Sequence, residues 1–116
     1  MNTVLLSIAT IISLNSIGQD LNRKEVIQLI GQTERLILQG VNLEGLNLNR
    51  LYFVGGNLRH VNFIGTNLEN ANLTGAELQG ANLERATLEG ADISGASLEG
   101  ANLMGTNLLR VNFSNT

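Results

Sequence analysis

The chain has 116 residues, room for one modest domain, with no Cys, no Pro, no Trp and 3% aromatics. A formal charge of −3 argues against a phosphate-backbone binder, which would show a basic face, and the lack of Cys excludes disulfides and thiolate metal sites. Hydrophobic content of 43% against 15% charge excludes a disordered chain, so the core must be built from small and aliphatic side chains.

Residues 1–19 are an apolar leader carrying the run VLLSIATIISL. The run is too short to span a bilayer, which takes about 20 apolar residues. Two readings stay open. A cleaved secretory signal would use Ser16 and Gly18 as a small-x-small site before Gln19, although no Lys or Arg precedes the apolar run. A retained helix would gather Thr3, Ser7, Thr10 and Ser13 on one polar stripe. Retention goes with a cytoplasmic protein, the location preferred here. Cleavage goes with export to a periplasm or a thylakoid lumen.

Residues 20–35 are expected to hold a short capping helix. Asn22 is a natural N-cap and Glu25 completes a capping box. Leu21 and Val26 stand at the positions of a hydrophobic staple. Val26, Ile27, Leu29 and Ile30 supply an apolar face, and Gly31 is the stop. So short a helix is marginal in water and must pack against the rest of the chain.

From residue 36 to 116 a period of five takes over. Its centres are Leu38, Leu43, Leu48, Phe53, Leu58, Phe63, Leu68, Leu73, Leu78, Leu83, Leu88, Ile93, Leu98, Leu103, Leu108 and Phe113, sixteen large apolar residues without a gap. On an α-helix a step of five turns about 500°, so the centres would spiral around the axis. On a strand a step of five changes sides. The chain must therefore turn once per pentad. The residue two before each centre then shares its inward face, and Gly recurs two after it, where a corner needs an unusual backbone. Repeated corners wind the chain into a solenoid.

The pentads AELQG, ANLER, ATLEG, ADISG, ASLEG and ANLMG resemble the pentapeptide repeat family. The resemblance implies an all-β solenoid, a right-handed quadrilateral β-helix with four pentads per coil. Sixteen pentads then make about four coils, with the N-terminal α-helix as cap. Residues twenty apart would stack, so Asn42, Asn62, Asn82 and Asn102 form one column and Asn47, Asn67, Thr87 and Asn107 another. Such amides are expected to hydrogen-bond along the axis. The inward small position is Ala in every pentad from residue 71 to 101, but Leu36, Val41, Leu46 and Leu51 fill it early, so a wider or less regular first coil is expected. Gly56 at an inward site beside Tyr52 predicts a local distortion.

Little chemistry is visible. His60, the only histidine, has Gly40, Gly80 and Gly100 as stacked neighbours, and Ser94, Ser97 and Ser114 lack a base. No enzymatic activity, cofactor or metal is expected. The expected role is a scaffold or protein-interaction module, bacterial and by resemblance cyanobacterial, whose partner is another protein rather than nucleic acid or a membrane. The candidate surface is Ile64, Glu77, Glu84, Arg85, Glu89, Glu99, Met104 and Leu109. Met104 and Leu109, outward in the last coil, predict an end-to-end homodimer, and the family is known to dimerise through C-terminal coils. Between Glu69 and Glu99, six carboxylates face Arg85 alone. Some family members are acidic DNA mimics that occupy a topoisomerase such as DNA gyrase, which makes that the alternative. A structural protein exported to the periplasm or thylakoid lumen is the other.

Overall fold

The computed structural model describes residues 21–32 and 34–116. The leader expected over residues 1–19 lies outside the described residues.

Helix α1 spans Arg23–Ile30. Its start is a complete capping box. The Asn22 side chain accepts from the Glu25 N–H at 3.0 Å, and the Glu25 carboxylate accepts from the Asn22 N–H at 3.1 Å. Leu21 and Val26 are both buried, as a staple requires. The apolar face is narrower than its sequence. Val26 and Leu29 are buried and Ile30 packs at their margin, but Ile27 is 46% exposed. One residue is a rotation of about 100°, which carries Ile27 off the stripe shared by Val26 and Leu29.

After the helix the chain climbs in pentads. Single-residue parallel β-bridges join residues twenty apart, in four columns: 37–57–77–97, 42–62–82–102, 47–67–87–107 and 52–72–92–112. Each column is one face, numbered 1 to 4 in that order, and each holds four rungs. The bonding repeats from rung to rung for the centres Leu38 to Ile93. A centre N–H donates to the carbonyl nineteen residues on, as Leu43 does to Asn62 at 2.8 Å. The bridge N–H donates back, as Asn62 does to Val41 at 3.0 Å. A local bond closes the turn, as from Ala71 N–H to the Leu68 carbonyl at 3.0 Å. Wall donors and acceptors are thus met by the neighbouring rung, which is what allows so small a cross-section.

The core is a stack of centres. Those from Leu38 to Ile93 are at most 1% exposed, and Ala71, Ala76, Ala81, Ala86, Ala91 and Ala96 are buried beside them. The distortion expected around Gly56 does not occur. Tyr52 bridges Asn72, the Phe53 N–H reaches the Asn72 carbonyl at 2.7 Å, and the Gly56 N–H closes its turn on Phe53 at 3.0 Å. Tyr52 is 66% exposed, so its bulk points away from the stack. Nor is the first rung irregular: it keeps the twenty-residue register, with Leu36 and Val41 buried and Leu46 and Leu51 half-buried against the core.

Leu21, Val26 and Leu29 of the helical segment belong to the same apolar cluster as the first centres. A polar contact accompanies them. Deeper in the stack, carbonyls on either side of a centre accept N–H groups from the rung before. On face 3 of the first rung the Arg23 guanidinium takes that part, donating to the Asn47 carbonyl at 2.7 Å and the Asn49 carbonyl at 3.3 Å.

Candidate interaction surface

A residue next to a centre points outward, so each rung of a face shows two side chains to solvent. Asn before the centre aims the one after it. The Asn62 side-chain oxygen accepts the Ile64 N–H at 3.0 Å, Asn82 that of Glu84 at 3.0 Å, Asn102 that of Met104 at 3.0 Å and Asn107 that of Leu109 at 3.1 Å. The expected axial amide ladder therefore gives way to a local turn. An axial bond does join Asn102 to Asn82 at 3.2 Å, but Asn57, Asn62 and Asn107 turn their amide N–H groups to Gln39, Glu44 and Glu89. Asx geometry wins because the donor two residues away is preorganised by the turn itself.

Corners complete the geometry. All ten glycines of the pentad corners have φ between 63° and 73°. Arg50, His60, Asn70, Arg85, Arg110 and Asn115 adopt the same left-handed conformation without being glycine. Three of these side chains lean across the corner of the next rung. The His60 ring lies where a Cβ on Gly80 would be, the Asn70 amide blocks Gly90 likewise, and Arg85 Cγ is 3.3 Å from the Cβ position of Gly105.

The candidate residues divide into two groups. Glu84, Arg85 and Met104 lie on face 2, and Glu89 and Leu109 on the adjoining face 3. Met104 is 69% and Leu109 64% exposed, one on each side of the Gly105 corner that Arg85 overlies. Arg85 pairs with Glu84 at 3.3 Å, and Arg110 pairs with Glu89. Ile64 shares the column of Met104 with Glu84 between them, but it is half-buried. Glu77 and Glu99 are on face 1, away from this edge. There Glu77 receives Arg35 at 2.6 Å and Arg59 at 3.7 Å.

The acidic run is scattered in the same way. Glu77 and Glu99 are on face 1, Glu84 on face 2, Glu69 and Glu89 on face 3, and Asp92 on face 4. The Asp92 carboxyl titrates below its ordinary range, chiefly because the Ser94 hydroxyl and then the Ser94 N–H donate to it, with Thr74 adding a smaller contribution.

Sequence reasoning passed over two inward threonines. Thr66 is fully buried and donates its hydroxyl to the Leu43 carbonyl at 2.8 Å. Thr106 makes the equivalent bond to Leu83 at 2.8 Å. The signal was present, as both stand where the repeat calls for Ala. Among the described residues no cluster of three or more His, Asp or Glu could hold a metal, and no helix is long and apolar enough to cross a membrane.

The sequence matches the pentapeptide repeats family in eight copies, over residues 37–75, 52–90 and 81–116. Among solved structures, the chain is similar to alr5209, a pentapeptide repeat protein from Nostoc PCC 7120. The two are 28% identical with a TM-score of 0.65, covering 95% of this chain and 78% of that one. It is also similar to a pentapeptide repeat protein from the Arabidopsis thaliana thylakoid lumen, at 35% identity and a TM-score of 0.55. That likeness covers 74% of this chain and 63% of the Arabidopsis chain. No curated protein matches the sequence. The twenty-residue register, the Asx-turned pentads and the family match agree: the chain belongs to the pentapeptide repeat family, whose fold is the right-handed β-helix.

Proposed function

We propose that the protein is a non-catalytic interaction module: four coils capped by α1, presenting the edge between faces 2 and 3 to a protein partner. The observation that carries this is the exposure of Met104 (69%) and Leu109 (64%) on either side of one corner. Flanking them are Glu84, Arg85, Glu89 and Arg110, already joined in pairs. Met and Arg around an apolar centre are a composition that protein interfaces favour. Ile64 would extend the surface only by moving outward, and Glu77 and Glu99 belong to a separate face.

The end-to-end homodimer would use the same two apolar residues. The last coil, residues 97–116, carries only Glu99 and Arg110, so charge neither favours nor opposes that contact. Both residues instead flank a corner on the side of the column, beside the Glu84–Arg85 and Glu89–Arg110 pairs, and we assign the edge to a heterologous partner. A DNA mimic needs a continuous row of acids along one side. Here the acids occupy four faces, and Glu77, Glu84 and Glu89 are held by arginines. We do not adopt it.

The test is a pull-down from the source cells with wild type, the double variant Met104→Glu/Leu109→Glu, and Ser94→Glu on face 4 as control. A partner lost by the double variant and kept by the control supports the edge. A partner that both variants retain overturns it.

A further inference from the structure

Face 4 differs in chemistry from the other three. Its outward residues are Tyr52, Asn72, Asp92 and Asn112 before the centres, and Val54, Thr74, Ser94 and Ser114 after them. No Lys or Arg stands among them, and Asp92 is the one carboxylate. The nearest cations, Arg50 and Arg110, are at the corner toward face 3, where Arg110 is held by Glu89. Toward face 1 the corners of the first three rungs are Gly55, Gly75 and Gly95, so no side chain rims the face there.

Two features of this face set what can lie on it. At the first rung Tyr52, the only tyrosine in the chain, and Val54 (55% exposed) stand side by side on one strand. Tyr offers a flat apolar ring with a hydroxyl at its tip. On the next three rungs the amide or carboxylate before the centre is gripped twice by the hydroxyl residue after it. Asn72 Oδ1 accepts the Thr74 N–H at 3.0 Å and the Thr74 hydroxyl at 2.6 Å. Asp92 accepts the Ser94 N–H at 2.9 Å and the Ser94 hydroxyl. Asn112 Oδ1 accepts the Ser114 N–H at 3.0 Å and the Ser114 hydroxyl at 2.7 Å. The other faces have no hydroxyl residue after a centre, so none of them repeats this. Gripped this way, the side chains lose little further freedom when a ligand arrives. The Asn72 and Asn112 amide N–H groups make no bond among the described residues, and the hydroxyl oxygens keep lone pairs to accept with. Donors and acceptors therefore recur along the face at the rung spacing of about 4.8 Å.

The matching ligand is uncharged, extended and hydroxylated at that spacing, with a flat apolar side for Tyr52. Nucleic acid and anionic lipid fail for want of cations on the face. An added peptide strand fails because the wall's main-chain groups are already bonded to neighbouring rungs. A neutral polysaccharide meets every condition. Its sugars repeat at close to one rung, their hydroxyls both donate and accept, and their C–H faces pack on aromatic rings. We infer that face 4 binds a neutral, extended polysaccharide running along the axis. One sugar lies on Tyr52 and Val54, and those that follow lie over Asn72, Asp92 and Asn112. A flat face encloses nothing, so a short oligosaccharide is held weakly and affinity rises with chain length. The inference does not depend on what the edge between faces 2 and 3 binds.

The test is an NMR titration of the full chain with cellohexaose, xylohexaose and mannohexaose, each beside its disaccharide. At least one hexasaccharide should shift the amides of residues 52–54, 72–74 and 92–94, and bind more tightly than its disaccharide. Tyr52→Ala should weaken that binding by about tenfold, since an exposed ring is lost without disturbing the core. Ser94→Glu, which sets a second carboxylate beside Asp92, should abolish it, and Met104→Glu/Leu109→Glu should leave it unchanged. Absence of shifts with all three hexasaccharides overturns the inference. So do shifts confined to other faces, or binding indifferent to Tyr52→Ala.

Discussion

The imidazole of His60 occupies the space above the Gly80 corner, where a Cβ would collide with it. Gly80 is therefore glycine twice over, for its φ of +69° and for its neighbour. Gly100, one rung on, meets only the backbone of Gly80, at 3.8 Å and beyond. Gly100→Ala should cost about 1–2 kcal/mol for the left-handed backbone, and Gly80→Ala more. Adding His60→Gly should recover the excess, but only at Gly80. Urea denaturation of Gly80→Ala and Gly100→Ala, each with and without His60→Gly, checks this.

Thr66 tests the buried hydroxyl. Thr66→Val keeps the volume and removes the donor to Leu43, and should destabilise by about 1 kcal/mol. One rung on from it, Ala86 is 1% exposed. Ala86→Leu should overpack the stack and cost about 1–3 kcal/mol. An unchanged melting temperature for Ala86→Leu would mean that its side chain is not inward.

The parity of the pentad made most of the fold legible. A large residue every fifth position, with a small one two before it, has one consistent placement, and centres such as Leu58 and Leu88 occupy it. The same letters could not tell an axial amide ladder from a turn closed two residues on, since both call for Asn at position 62 or 82. The choice depends on backbone dihedrals that composition does not carry. The expected distortion at Gly56 failed for a related reason. Register is held by main-chain bonds to the rungs on either side, so a missing side chain leaves the ladder intact. The division of the surface residues into an edge and a face needed the twenty-residue register, because Glu77 and Glu84 are close in sequence but on different faces.

Arg85 holds φ at +57° at a corner where glycine is otherwise common. Arg85→Gly gives up an exposed ion pair, which is worth little, and relieves the strain. Stability should rise by about 0.5–1 kcal/mol while capture of the edge partner falls. Thermal melts beside the pull-down separate the two effects.

Asp92 gives a pH signature. Its carboxyl is held below the ordinary range by donors that favour the charged form. A lowered folded value means that its stabilisation is complete above the unfolded value and is lost as pH falls through the folded one. An NMR titration should place the Asp92 midpoint below that of a free aspartate. Ser94→Ala should move it back up, as it removes the largest cause.

The bridges all close loops of one size, twenty residues, whichever rung they join. In most folds a larger chain brings contacts of ever greater sequence separation, and folding slows accordingly. Here each added coil repeats the same closure on a template already formed, so the entropic cost of the next step does not grow. Such a chain can assemble like a zipper, from a costly first pair of rungs onward, and length can change without a new folding problem.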